Sequence, residues 1–179
     1  MSKSFVHLHA HTEYSMLDGA AKINDYLNKV KELNQPAAAI TDHGNLYGAL
    51  EFVRQAEILD IKPIIGYEAY VTPGSRFDRP ERDKNKRYHL TLLAENNIGY
   101  QNLVELVSKA YLEGFYYKPR VDYDLLEKHA EGIIALSGCL GGEVAQHLAP
   151  DGSREEGNTA NEKSYEKALE KAKNYQNIF

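Results

Sequence analysis

Apolar positions along this chain fall into a repeated strand-then-helix rhythm broken by short polar turns. The opening run SFVHL (residues 4–8) reads as a strand. Ile23, Tyr26, Leu27, Val30 and Leu33 then recur at helical spacing. AAAIT (residues 37–41) is short and apolar, as a buried strand is, and leads into a helix over about residues 46–59. KPIIGYEAYV (62–71) predicts a third strand and YHLTLLA (88–94) a fourth. A helix over about residues 100–112, a tyrosine-rich loop and a short helix near Leu125 follow. GIIALSG (132–138) is a fifth strand, ahead of a helix around Val144. The polar stretch DGSREEGNTA (151–160) predicts a loop, and Tyr165, Ala168, Leu169, Ala172 and Tyr175 mark a last amphipathic helix.

Strands alternating with helices predict the α/β class with a parallel sheet or barrel. A closed (β/α) barrel usually needs about 250 residues and about seven or eight strands. About five strands are legible here, so the sheet is open or the chain is the front portion of something longer. No internal repeat is visible.

In parallel α/β folds the active groups collect just past the C-terminal ends of strands. Here FVHLHAHTEY places His7, His9 and His11 at alternate positions, on one face of an extended segment. Asp42 and His43 follow the second strand, Glu68 sits towards the end of the third, and Cys139 ends the fifth. These are metal-binding side chains, and their convergence at strand ends predicts a shared metal site. Taken singly each has a plainer reading: Cys139 as a small core residue, His43 as a helix cap, Glu68 as an edge glutamate. His7 is a ligand or stands behind the ligands. His129 and His147 read as surface residues. His89 opens the fourth strand, the wrong end for a site if that strand runs parallel to the others.

Composition narrows the class. The chain has 179 residues, 42% hydrophobic and 26% charged, as a soluble globular domain has. One cysteine excludes an internal disulfide and fits a reducing compartment. No apolar run reaches the roughly 18 residues of a membrane helix, and no signal-peptide core follows the N-terminus, so a cytoplasmic location is expected. The net charge of −5 does not advertise nucleic-acid binding. Residues 72–87, TPGSRFDRPERDKNKR, are the exception, with six basic and three acidic side chains. That stretch is either a solvated loop or a phosphate-contacting surface, with Arg76, Arg79, Arg82 and Arg87 as the candidate contacts. YLEGFYYKPR interleaves aromatics with Lys118 and Arg120, as a single-strand-binding surface does, or packs against a larger protein.

Several blocks together carry a resemblance: HLHAHTEYSMLDGAAK, ITDHGNLYGALEF, DIKPIIGYEAY, HLTLLAENNIGYQNL, KAYLEGFYYKPR and AEGIIALSGCLGGE. Over residues 4–148 the chain resembles the N-terminal PHP (polymerase and histidinol phosphatase) domain of the catalytic alpha subunit of bacterial DNA polymerase III. The resemblance implies a distorted seven-stranded (β/α) barrel, here cut short after about five strands. Residues 1–150 would form the front of that domain and residues 151–179 a loop and helix continuing it. The resemblance matches the ligand pattern to His9, His11, Asp18, His43, Glu68, His89 and Cys139; His7 and Asp42 are expected behind these ligands. It implies up to three divalent ions, zinc first, with manganese or iron as alternatives. The family closes its site with a later Asp-x-His motif, and none follows Cys139 here. The implied activity is metal-dependent phosphoesterase chemistry, a 3′–5′ proofreading exonuclease attached to a replicative DNA polymerase. Implied partners are the 3′ end of primer-template DNA, the rest of the polymerase chain and other replisome subunits, with no membrane. Two other roles are open: a module docking a separate proofreading subunit, or a free-standing phosphatase of the histidinol-phosphatase type.

Overall fold

The structure is a computed structural model and describes residues 5–149 and 162–179, so the loop expected at 151–160 lies outside the described residues. The fold is of the α/β class. Five strands form one sheet: β1 (Ala37–Ile40), β2 (Lys62–Val71), β3 (Tyr88–Ala94), β4 (Arg120–Val121) and β5 (Ile133–Leu136). The helices are α1 (Ile23–Glu32), α2 (Ala49–Ile58), α3 (Asn97–Leu112), α4 (Tyr123–Lys128), α5 (Glu143–Leu148) and α6 (Glu162–Ile178). Two 3₁₀ turns, Glu13–Asp18 and Arg82–Lys84, complete the described elements.

Strand order is β1-β2-β3-β5, with β4 beside the C-terminal end of β2. β1 and β4 run parallel to β2, whereas β3 runs antiparallel to both β2 and β5. This corrects the expectation of an all-parallel sheet. The physical reason is the connection: residues 72–87 carry no crossover α-helix, and a parallel neighbour needs one. The start of β3 therefore lies beside the end of β2, with His89 opposite Tyr70. His89 is at the active end after all.

A second correction concerns residues 5–8, which form no strand. A strand needs a ladder partner, and this segment is tied down only later, where Thr41 donates its backbone N–H to Ala10 at 2.9 Å. The expected fifth strand is regained by β4, two residues long and not visible in the apolar pattern.

The register explains why β2 reads as a continuous apolar run. Tyr67, Ala69 and Val71 face one way with Leu92, Leu90 and Tyr88 opposite them, and pack against α3 and α4 through Leu103, Leu106, Leu125 and Leu126. Glu68 and Tyr70 face the other way, beside Thr91 and His89. A second core joins α1, α2 and β1 through Ile23, Leu27, Ile40 and Phe52. Each fully buried side chain of this kind contributes about 1.5–3 kcal/mol. α6 docks through Tyr175, whose hydroxyl donates to the buried carboxylate of Glu143 at 2.8 Å.

Candidate metal centre

Glu68 is the middle of the site, 1% exposed. Its backbone is fixed between the segments that follow β1: its N–H donates to Asp42 O, and its carbonyl accepts from Gly44 N–H, both at 2.9 Å. This puts His43 beside Glu68 in a parallel bridge. Gly44 has φ +66°, and a Cβ there would come within 2.9 Å of Pro119, so the turn after His43 requires glycine.

Four imidazoles surround the Glu68 carboxylate. Oε2 lies 3.4 Å from His9 Nε2, 3.0 Å from His11 Nε2 and 2.9 Å from His43 Nδ1. Oε1 lies 3.1 Å from His89 Nδ1. The Nε2 atoms of His9 and His11 are themselves 3.2 Å apart. Buried Oε2 of Glu68 and buried Nδ1 of His43 have no hydrogen-bond partner of good geometry. Buried polar atoms are rarely left so. Two triads have donor atoms close enough to share an ion: His9, His11 and Glu68, and His43, Glu68 and His89. Inward-turned imidazole nitrogens, a carboxylate and orphaned lone pairs fit a divalent cation.

Asp18 ends the first 3₁₀ turn, where Met16 takes a strained φ of +59°. Its Oδ2 stands 2.6 Å from His43 Nε2, on the solvent side. Cys139 is at the rim, with Sγ 3.7 Å from Glu68 Oε1 and 3.6 Å from His89 Nδ1. Its turn is folded onto His89: the His89 N–H donates to Gly141 O, and Gly138, at φ +83°, leaves no room for a Cβ against the His89 carbonyl.

Electrostatics follow from this crowding. Burial pushes the Glu68 carboxyl up, but the imidazoles of His11, His43, His89 and His9 outweigh it and hold it well below the usual carboxylate range. Burial pulls His43 down, and Glu68 with Asp18 more than restores it, so the ring lies above its ordinary value. Partial burial pushes the Cys139 thiol up, against the pull of the Gly141 amide.

Asp42 stands behind the site. It accepts from Thr12 N–H at 2.6 Å, the Thr12 hydroxyl at 2.7 Å and the Ser15 hydroxyl at 2.9 Å. Ser15 Oγ also accepts from the His43 N–H and lies 3.0 Å from His11 Nδ1. Ser15 was not foreseen from the sequence. His7 does not join this shell: it is exposed, its ring edge-on to Phe5 at 4.7 Å. Its expected place failed with the strand that was to align it.

The candidate DNA contacts divide sharply. Arg76 is nearly buried and bonds Glu113 and Asp122 at 2.7 and 3.0 Å. Arg120, 0% exposed, donates to Gly114 O, Asn85 Oδ1, Arg76 O and Asp78 O. These two are corrected from surface contacts to internal struts, since both are buried and their guanidinium donors are largely taken by acceptors within the chain. Arg79 is held by carbonyls of Arg76, Asp78 and Glu113. Arg82 and Arg87 are exposed without a side-chain partner among the described residues, and Lys118 lies over the Tyr70 ring at 5.4 Å.

The family model described as PHP domain matches residues 7–179. The DNA polymerase III subunit alpha of Thermus aquaticus is 59% identical over 152 residues, which cover 82% of this chain and 12% of that relative. The Deinococcus radiodurans subunit is 54% identical over 154 residues, 82% of this chain and 12% of its own length. The Helicobacter pylori subunit is 47% identical over 178 residues, 99% of this chain and 14% of its own. The aligned segment is thus 12 to 14% of these relatives. With the family model running through nearly all of the sequence, the chain belongs to the PHP domain family.

Proposed function

We propose that this chain is the front portion of the PHP domain of a cytoplasmic bacterial DNA polymerase III alpha chain, and that its chemistry is phosphodiester hydrolysis at a DNA 3′ end. The observation that carries this reading is the buried Glu68 carboxylate with four imidazoles turned onto it and lone pairs left unmatched. His9, His11 and Glu68 would hold one divalent ion, and His43, Glu68 and His89 a second, with Asp18 and Cys139 at the rims. The donor set suits zinc first, with manganese or iron as alternatives. When bound, such ions lower the pKa of a water and offset charge on the phosphoryl oxygens.

The chain's own residues do the rest. Glu68 turns Oε2 to His9, His11 and His43 and Oε1 to His89, so one carboxylate is common to both triads. Asp42 holds Ser15, which sits on His11 Nδ1 and leaves Nε2 facing inward. Water oxygen adds to phosphorus, the bond to the neighbouring 3′ oxygen breaks, and that oxygen takes up the proton. A nucleoside 5′-monophosphate leaves. Identities of 47 to 59% to polymerase subunits support DNA and the rest of a polymerase chain as partners. A module that merely docked a proofreading subunit would have no use for four imidazoles on one carboxylate.

The test is release of the terminal nucleotide from a labelled primer by the full-length chain, with manganese or zinc and an EDTA control. The His9→Ala/His11→Ala form should lose release while primer extension persists. Undiminished release would overturn the assignment.

A further inference from the structure

Two hollows meet at the metal centre, and they differ in chemistry. One, about 810 Å³, is lined by Arg82, Lys86, Arg87, Lys167 and His147 and reaches the centre at His89. The other, about 350 Å³, is lined by Tyr47, Tyr111, Phe115 and Lys118 and reaches the centre at His43 and Asp18. Tyr117 lines both. The rings of His43 and His89 are 5.1 Å apart, so the two hollows border the same cluster.

The cations of the first hollow are unlike those elsewhere in the same loop. Arg76 and Arg120 are spent on buried acceptors, whereas Arg82, Lys86, Arg87 and Lys167 are exposed and have no side-chain partner among the described residues. Four unpaired cations from a turn, a strand entry and α6 around one cleft form a field for a polyanion, in a chain whose net charge is −5. The second hollow is rimmed by exposed aromatic faces, with Tyr111 and Phe115 stacked at 6.0 Å. At the junction Tyr117 is exposed and held at φ +62°, a conformation that costs a tyrosine and keeps its ring at the shared lip.

We propose that the two hollows form one groove for the end of a single nucleic-acid strand. The terminal base stacks among Tyr47, Tyr111, Phe115 and Tyr117, and the preceding phosphates lie along Arg82, Lys86, Arg87 and Lys167. The last phosphodiester then falls at Glu68, the only part of the inference that rests on the phosphoesterase reading. An unpaired end is required, because a base enters a stacking pocket only when its faces are free.

The experiment uses the full-length chain and a single-stranded oligonucleotide with 5-iodouracil at its 3′ terminus. On irradiation the base should crosslink within residues 109–120, and Tyr117→Gly should abolish that crosslink. Glycine suits the backbone at this position, so the variant removes the ring without disturbing the fold. The Arg82→Gln/Lys86→Gln/Arg87→Gln/Lys167→Gln form should raise KM for terminal nucleotide release roughly tenfold and leave kcat within about threefold. The log–log salt slope of kcat/KM should flatten by roughly 2–3, at about 0.7 per phosphate contact on a single strand. A chain that releases nucleotide but crosslinks elsewhere, with an unchanged salt slope in the charge variant, overturns the groove and leaves the phosphoesterase reading standing. A chain that crosslinks at Tyr117 yet releases nothing with any divalent ion does the reverse.

Discussion

Among the described residues two glutamates are buried, Glu68 at 1% exposure and Glu143 at 2%, and their surroundings are opposites. Glu143 is met by proton donors: the hydroxyls of Tyr123 and Tyr175 both donate to Oε2, and Lys171 Nζ stands 3.6 Å from Oε1. Every lone pair that matters there is answered from within the chain, and the result is a clasp holding α5 and α6 together. Glu68 is met by imidazoles, each able to offer a lone pair as readily as a proton, and Oε2 is left unmatched. A buried carboxylate alone does not mark a metal site. What marks it is a shell whose electron pairs point at the same space.

The largest effect should come from removing the charge at that space. Glu68→Gln keeps the shape and deletes the anion that both triads share. Affinity for divalent ions should fall on the order of a thousandfold, equivalent to about 4 kcal/mol. Metal analysis after dialysis checks it. A variant that kept its metal would erase the distinction between the two glutamates.

The clasp should respond the other way, losing stability with or without metal. Tyr123→Phe/Tyr175→Phe removes both hydroxyl donors and leaves a buried carboxylate with Lys171 alone. An unsatisfied buried group costs about 1–3 kcal/mol, so urea denaturation should show a loss of roughly 2–3 kcal/mol while metal content is unchanged. Alkaline pH probes the same contact. Burial first, and then the Glu143 charge, push both phenols above their ordinary value. Their contribution is fully present below about pH 10, where an unfolded tyrosine titrates, and is lost as pH rises through the raised folded values. Glu143→Gln should soften that alkaline decline.

The sequence carried the apolar strands β1, β2, β3 and β5 plainly, because AAAI, IIGYEAYV, HLTLLA and IIAL are buried on one or both faces. Strand direction was harder, since local periodicity is the same either way. The signal was in the connection: residues 72–87 lack helical periodicity, and an antiparallel neighbour follows. Read so, His89 belongs at the site without any family pattern. β4 was illegible because it begins with Arg120, a charge that reads as surface until four carbonyl or amide oxygens, three of them distant in sequence, are seen to satisfy it. Asp18 and Ser15 could not be found from spacing, because a 3₁₀ turn and Asp42 bring them in. His7 shows the converse error, a regular alternation that had no strand to express it.

The smallest effect should come from one hydroxyl outside both shells. Ser15 Oγ donates to Asp42 at 2.9 Å, accepts from the His43 N–H at 3.0 Å and lies 3.0 Å from His11 Nδ1. It therefore holds the ring of His11 and the backbone of His43 without touching Glu68 itself. Ser15→Ala leaves every proposed ligand in place and removes the contact that fixes the tautomer and tilt of His11, together with the hydroxyl's bonds to Asp42 and the His43 backbone. Metal affinity should fall about tenfold, or about 1.4 kcal/mol, far less than for Glu68→Gln. Asp42, still bonded by Thr12, keeps the backbone in position, so Tm in EDTA should change little. Ser15→Thr, which restores the hydroxyl, should recover most of the loss. Titration with zinc under a competing chelator reads all three chains. If Ser15→Ala bound zinc like the parent chain, His11 would be held by packing alone, and the order around Glu68 would owe nothing to Asp42.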